Sequence, residues 1–143
     1  MKNQPKFKSV NKLFEKSFRE NWDRPALSNY EGDTFTYGEL ATKIELLHMG
    51  FEMCGLKKGD KIAICGRNQA NWAVSFLAAT TYGAVPVPIL HEFKAGNIHY
   101  LVNHSEAKAL FVDDVVWEHL SEDEMPGLLV IIGLGDLKYI YSQ

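Results

Sequence analysis

The feature that most restricts this chain is the order of its apolar runs after the polar loop Lys57-Lys58-Gly59-Asp60. Lys61–Cys65, apolar from Ile62 onward, has the length and composition expected for a buried strand. A helical pattern follows to Tyr82, with Asn68 or Asn71 able to cap its start and Gly83 placed to end it. Residues 84–89 are extended, and Pro86 and Pro88 remove ladder donors, so this strand is expected at a sheet edge or with unusual pairing. A helix over 96–105, with Ile98, Leu101 and Val102 inward, leads to a strand at Ala109–Val112. A short helix over 115–120 and a last strand over 128–132 complete the pattern. Strands spaced by helices of this length need crossover connections, so the expected fold class is α/β, a mostly parallel sheet with flanking helices.

The first third of the chain reads differently. Val10, Leu13, Phe14, Phe18 and Trp22 recur near the helical period over 10–22, with Lys6, Lys8, Lys12, Lys16 and Arg19 on or beside the other faces. Such a basic amphipathic helix packs on its own domain or lies on an anionic membrane surface. Asp23-Arg24-Pro25 stops it, and segments 26–30 and 34–37 flank Glu31-Gly32-Asp33 as a β-hairpin. Thr36 and Glu39 have the spacing of a capping box, in which each side chain satisfies the other residue's backbone N–H. Leu40, Ile44, Leu47, Phe51 and Cys54 then form one apolar stripe, and Gly55 is the helix terminator. Residues 1–143 are expected to form one domain in three parts: 1–24, 25–37 and 38–143.

Composition narrows the function classes. A chain of 143 residues with 46% hydrophobic and 23% charged residues is globular, and a net charge of -3 gives no general attraction to nucleic acid. Cys54 and Cys65 cannot build a disulfide framework or a zinc site and are expected to be plain buried thiols. With no secretory h-region and no membrane-length apolar run, the chain reads as cytoplasmic.

Motifs for chemistry are incomplete. Gly133-Leu134-Gly135 follows a strand, but Lys138 replaces the third glycine of a dinucleotide fingerprint, leaving an ordinary turn. Neither a P-loop nor a GxSxG elbow occurs, and His91-Glu92 fails as a zincin motif because Ala95 stands where the second histidine is needed. His48, His91, His99, His104 and His119 never share the i, i+4 spacing of two ligands on one helix face. Glu122-Asp123-Glu124 reads as a solvated loop. Catalytic and metal-ligating residues are therefore assigned to no position.

Thr36-Tyr37-Gly38-Glu39-Leu40 resembles the first core motif of the adenylate-forming superfamily, which includes acyl-CoA synthetases, luciferases and peptide-synthetase adenylation domains. In order and spacing, Asp23 to Leu27, Gly59 to Ile64, Leu77-Ala78-Ala79, Gly83 to Ile89 and Asn103 to Phe111 resemble the family's opening. The resemblance covers about residues 10 to 112, and Asn68, Trp72 and the prolines of Val85-Pro86-Val87-Pro88 are most similar to long-chain fatty-acid CoA ligases.

The resemblance implies the N-terminal part of the adenylate-forming fold and a parent reaction. ATP, with Mg2+, and a fatty acid give an acyl-adenylate and pyrophosphate, after which coenzyme A displaces AMP. It also implies that Leu90 and His91, at the end of the 84–89 strand, border the nucleotide part of coenzyme A. Family members are several times longer. Their phosphate loop, magnesium-associated motif, ribose-binding aspartate and late catalytic lysine have no matching position here, so this chain alone is expected to be inactive. It would supply scaffold, leaving apolar faces through which it self-associates. The alternatives are an adenylating enzyme for aryl or short-chain acids, or a standalone α/β binding module.

Overall fold

The computed structural model describes residues 9–143. Lys6 and Lys8, read above as part of the basic helix, lie outside the described residues. Two compact units divide the chain, the first running through Thr42 and the second from Lys43 to Gln143.

In the first unit, α1 spans Val10–Glu20, and its N-cap Ser9 accepts a hydrogen bond from Lys12 N. The apolar stripe was expected to run to Trp22, but the helix stops at Glu20. Asn21 leaves helical backbone angles and turns its side-chain amide back to Ser17 O at 2.8 Å. Trp22 instead lies over Gly38, where an added Cβ would come within 2.7 Å of the indole, and its carbonyl accepts from Gly38 N. No α1 residue is fully buried, although Phe18 meets Tyr37 edge to face at 5.4 Å. Strands β1, Pro25–Ser28, and β2, Thr34–Thr36, pair antiparallel as the hairpin. The capping box forms as read: Thr36 N donates to Glu39 Oε2 at 2.9 Å and Glu39 N to Thr36 Oγ1 at 3.2 Å. Tyr37, expected at the end of the hairpin, is the first residue of α2, Tyr37–Met53.

The second unit is a five-stranded sheet in the order β4-β3-β5-β6-β7. Strands β3 (Lys61–Cys65), β4 (Val85–Ile89), β5 (Ala109–Val112) and β6 (Val130–Gly133) run parallel to one another. Between them run α3 (Ala70–Tyr82), α4 (Ala95–Ser105) and the single turn α5 (Asp114–Trp117). A 3-10 turn at Glu122–Glu124 precedes β6. The strands read as continuous apolar runs because both faces are covered. Ala63, Cys65, Leu110, Val112 and Ile131 pack with Ile98 and Val102 of α4 on one face. On the other, Phe111 meets Phe51 of α2, which in turn meets Tyr82 of α3.

Strand β4 is indeed at an edge. Val85 N bonds inward to Asp60 O, so the alternate positions Pro86 and Pro88 fall where the missing N–H groups would point out of the sheet. The final strand needs correction. Residues 128–132 were expected to end the sheet, but β6 starts at Val130, and the chain reverses through Gly133-Leu134-Gly135 into an antiparallel edge strand, β7 (Tyr139–Ser142). The α3 cap also differs: Gln69 occupies it with no side-chain bond. Neither Asn68 nor Asn71 caps the helix, and Asn71 Nδ2 instead donates to Leu134 O at 2.8 Å. Cys65 is buried as expected, whereas Cys54 lies beyond the end of α2 and is only half-buried.

Gly83 ends α3 at φ 87°, and its N–H returns to Thr80 O. Only glycine adopts this left-handed region without cost, and an added Cβ would also press on Lys58 Cγ at 3.2 Å. Gly83→Ala is expected to lower the unfolding free energy by about 1 kcal/mol, read as a shift in urea midpoint with unchanged m-value.

Candidate functional site

In a parallel sheet the loops after the strands open on one edge, and ligands are taken in crevices there. Here those loops are Gly66-Arg67-Asn68 after β3, Leu90-His91-Glu92-Phe93 after β4 and Asp113-Asp114 after β5. The β3 and β5 loops are tied together. Asp113 N donates to Cys65 O, and an added Cβ on Gly66 would strike Leu134 Cδ1 and approach Asp113 Cβ at 3.0 Å.

Arg67 and Asp113 form the strongest electrostatic contact of this edge. Arg67 Nε and Nη2 donate to Asp113 Oδ2 and Oδ1 at 2.6 and 3.0 Å, and Arg67 N adds a 3.3 Å bond to Oδ2. The fork fits a carboxylate with two parallel bonds. Asp113 is 1% exposed, while 59% of the Arg67 side chain remains accessible. Hydrogen bonding to Arg67 holds the Asp113 carboxyl well below the ordinary carboxylate range; burial opposes this, and a bond with Asp114 assists it. The guanidinium is thus fixed in direction yet still open to a ligand.

Beside this pair lies a cleft of about 470 Å³ between the β4 loop, α4 and α5. Arg67, His91, Lys94 and His119 line it as polar groups, and Ile98 and Val116 are among its apolar walls. A second cleft, of about 280 Å³, is bordered by Asn68, Trp72, Leu90 and His91. His91 therefore borders both clefts and Leu90 one. Sequence reasoning named these two residues but missed Arg67, Lys94 and His119. A cation directly after a strand was the available signal for Arg67, whereas its partner Asp113 lies 46 residues away.

The other candidates do not gather. His48 Nε2 is within 3.0 Å of both Ala78 O and Thr81 Oγ1, His99 Nε2 accepts from Ser121 N, and the His104 ring stacks on Tyr100. Cys65 is no nucleophile: burial first, and the charge of Asp113 second, push its thiol up to about 11. Glu122, Asp123 and Glu124 are exposed, and Glu124 O accepts from Asn103 Nδ2. Among the described residues no group of three or more histidine, cysteine or acidic side chains forms a metal-binding cluster.

This edge can seat an anion against an apolar wall. The chain is 32% identical over 106 residues to surfactin synthase subunit 2 of Bacillus subtilis (strain 168), covering 74% of this chain and 3% of that protein. It is 30% identical over 79 residues to long chain acyl-CoA synthetase 5 of Arabidopsis thaliana, covering 55% and 12%. Its fold superposes on the anthranilate CoA ligase AuaEII in complex with anthranoyl-AMP with a TM-score of 0.82 at 18% identity, over 93% of this chain and 26% of that one. The chain thus spans only a small part of the proteins it matches. A family model described as AMP-binding enzyme matches residues 14–138, so this chain belongs to the AMP-binding enzyme family.

Proposed function

We propose that this chain is the N-terminal scaffold of an AMP-forming long-chain fatty-acid CoA ligase and that its carboxyl-edge cleft seats the nucleotide part of coenzyme A. One observation carries the reading: in a chain of this family, Arg67, His91, Lys94 and His119 line a cleft with apolar walls at the ends of β3, β4 and β5. Phosphates suit the cationic groups, and a base or pantetheine chain suits the Phe93 and Val116 surfaces. His91 borders both clefts and Leu90 the smaller one. Coenzyme A supplies the thiol that displaces AMP; this chain's residues hold and orient its distal end and contribute no group to the reacting carbonyl. On this reading ATP and Mg2+ are held by the remainder of the enzyme.

The chain alone is inactive on this reading, and one domain begins here that further sequence completes. Val85, Phe93 and Val115, each more than 40% exposed, would meet that remainder and support self-association without it. The protein works in the cytoplasm, with Val10 and Leu13 of α1 exposed for contact with a membrane surface; no described helix is long and apolar enough to cross one. A standalone binding module draws support from one observation, that β6 is buried on both faces within this unit, with Val130, Ile131 and Ile132 at most 1% exposed.

ATP-pyrophosphate exchange with palmitate, acetate and benzoate, measured on the natural polypeptide carrying this sequence and on the 143-residue chain, separates the readings. Exchange with palmitate in the natural polypeptide alone supports the ligase; none with any acid supports the module; preference for benzoate or acetate changes the substrate. For the cleft, 3′,5′-ADP is the probe: Lys94→Ala and His91→Ala are each expected to weaken its binding about tenfold by calorimetry. Unchanged affinity in both variants would remove the site from this cleft.

A further inference from the structure

Helix α2 is apolar on two sides. Leu40, Ile44, Leu47 and Phe51 are buried, as an amphipathic helix requires. Leu46, Met49 and Met53 follow at spacings of three and four on another face, where they are 62%, 55% and 88% exposed. This second stripe covers about two helical turns, or about 10 Å. The Tyr139 ring extends it: its phenol oxygen packs against Gly50 in the neighbouring helical row, and the residue is 51% exposed. Along the opposite border stand Glu45 and Glu52, both exposed, four residues before and three after Met49. Neither forms an ion pair among the described residues.

We propose that this outer face of α2 docks an amphipathic helix of a partner protein whose apolar stripe is bordered by lysine or arginine. Anchors at i, i+3 and i+7 match the repeat of a helix laid alongside, and unbranched thioethers adapt to its side chains. The border of carboxylates selects the partner's charge: it attracts a basic flank and repels an anionic lipid surface, which favours a protein over a membrane. All three anchors project into solvent, so changing them leaves the core untouched. The inference is independent of the carboxyl-edge cleft, because no residue of α2 lines it.

The test is a titration of methionine-methyl-labelled protein with a designed leucine/lysine helix, followed by NMR. Met125, 1% exposed, is the internal reference. The Met49 and Met53 methyls are expected to shift while Met125 does not. Two paired variants, Met49→Ser with Met53→Ser and Glu45→Gln with Glu52→Gln, should each weaken binding about tenfold or more. Equal binding of a leucine/glutamate helix would overturn the proposal. So would shifts of the same methyls with anionic phosphatidylglycerol vesicles but not the helix, or on raising protein concentration alone, which would assign the face to lipid or to a second copy. Absence of any shift with the leucine/lysine helix overturns it as well.

Discussion

Replacing Phe111 by alanine is expected to lower the unfolding free energy of the second unit by about 3–5 kcal/mol. Phe111 is completely buried in β5, where it lies between Ile64 of β3 and Ile132 of β6 in the register of the parallel ladder. Its ring meets Phe51 edge to face at 6.0 Å, and Phe51 meets Tyr82 at 5.3 Å, so one truncation strips a partner from a chain of three rings that joins α2 and α3 to the sheet. The surrounding ladder cannot collapse into the space, because β3 and β6 are held at fixed spacing by their backbone bonds. Phe111→Leu keeps most of the volume and is expected to cost under about 1.5 kcal/mol. Tyr30→Ala, at a position 93% exposed, should change stability by no more than about 0.5 kcal/mol. Urea unfolding followed by circular dichroism reads all three, and a Phe111→Ala loss no larger than that of Tyr30→Ala would contradict the packing described.

The Arg67–Asp113 pair gives the second large effect, with a sign that depends on which partner is removed. Asp113→Ala is expected to cost about 1.5–3 kcal/mol at neutral pH, the range for hydrogen bonds to charged groups. The guanidinium it leaves behind is exposed and rehydrates. Arg67→Ala leaves a buried carboxylate with one backbone N–H, and that is the more damaging change per bond lost. Their pH dependences run in opposite directions. In the native chain the Asp113 carboxyl sits below its unfolded value of about 3.9, so its contribution is fully present above that value and is lost as pH falls toward the folded value. In Arg67→Ala, desolvation prevails and raises the folded value above the unfolded one, so the penalty is complete above the folded value and acidification from there down to the unfolded value of about 3.9 should recover part of the loss. Arg67→Ala with Asp113→Asn is expected to be more stable at neutral pH than Arg67→Ala alone. Denaturation midpoints between mildly acid and neutral pH measure this, and parallel pH curves for native chain and Arg67→Ala would contradict the pairing.

The local elements of this fold were legible because their signals act over three or four residues. Thr36 and Glu39 determine where α2 starts, Gly83 where α3 stops, and Pro86 and Pro88 which strand tolerates an open edge; each is satisfied within its own turn or strand. Where the reading failed, a distant partner had prevailed over a local preference. Asn71 has a capping side chain, yet Leu134 O and Gly135 O, more than 60 residues on, take its amide. Trp22 continues the apolar period of α1, yet its ring and carbonyl engage Gly38. The turn at Gly133-Leu134-Gly135 was legible, but strand β7 beyond it was not, because it forms against the ladder that Val130, Ile131 and Ile132 offer.

The candidate site divides in the same way. Leu90 and His91 could be named from sequence because the family resemblance points to them and they directly follow a strand. Arg67 and His119 could not be joined to them, since the two crossovers through α3 and α4 bring these residues to one crevice. By itself the sequence determined the α/β class and the order of elements up to β6, because periodicity and caps are properties of neighbouring residues, and its motifs carried the resemblance to the family. Only the tertiary structure decided which cation meets which carboxylate, which faces stay uncovered and where the clefts open. Those depend on contacts between residues far apart in the chain, and each such contact forms only after the sheet has fixed the distance between its partners.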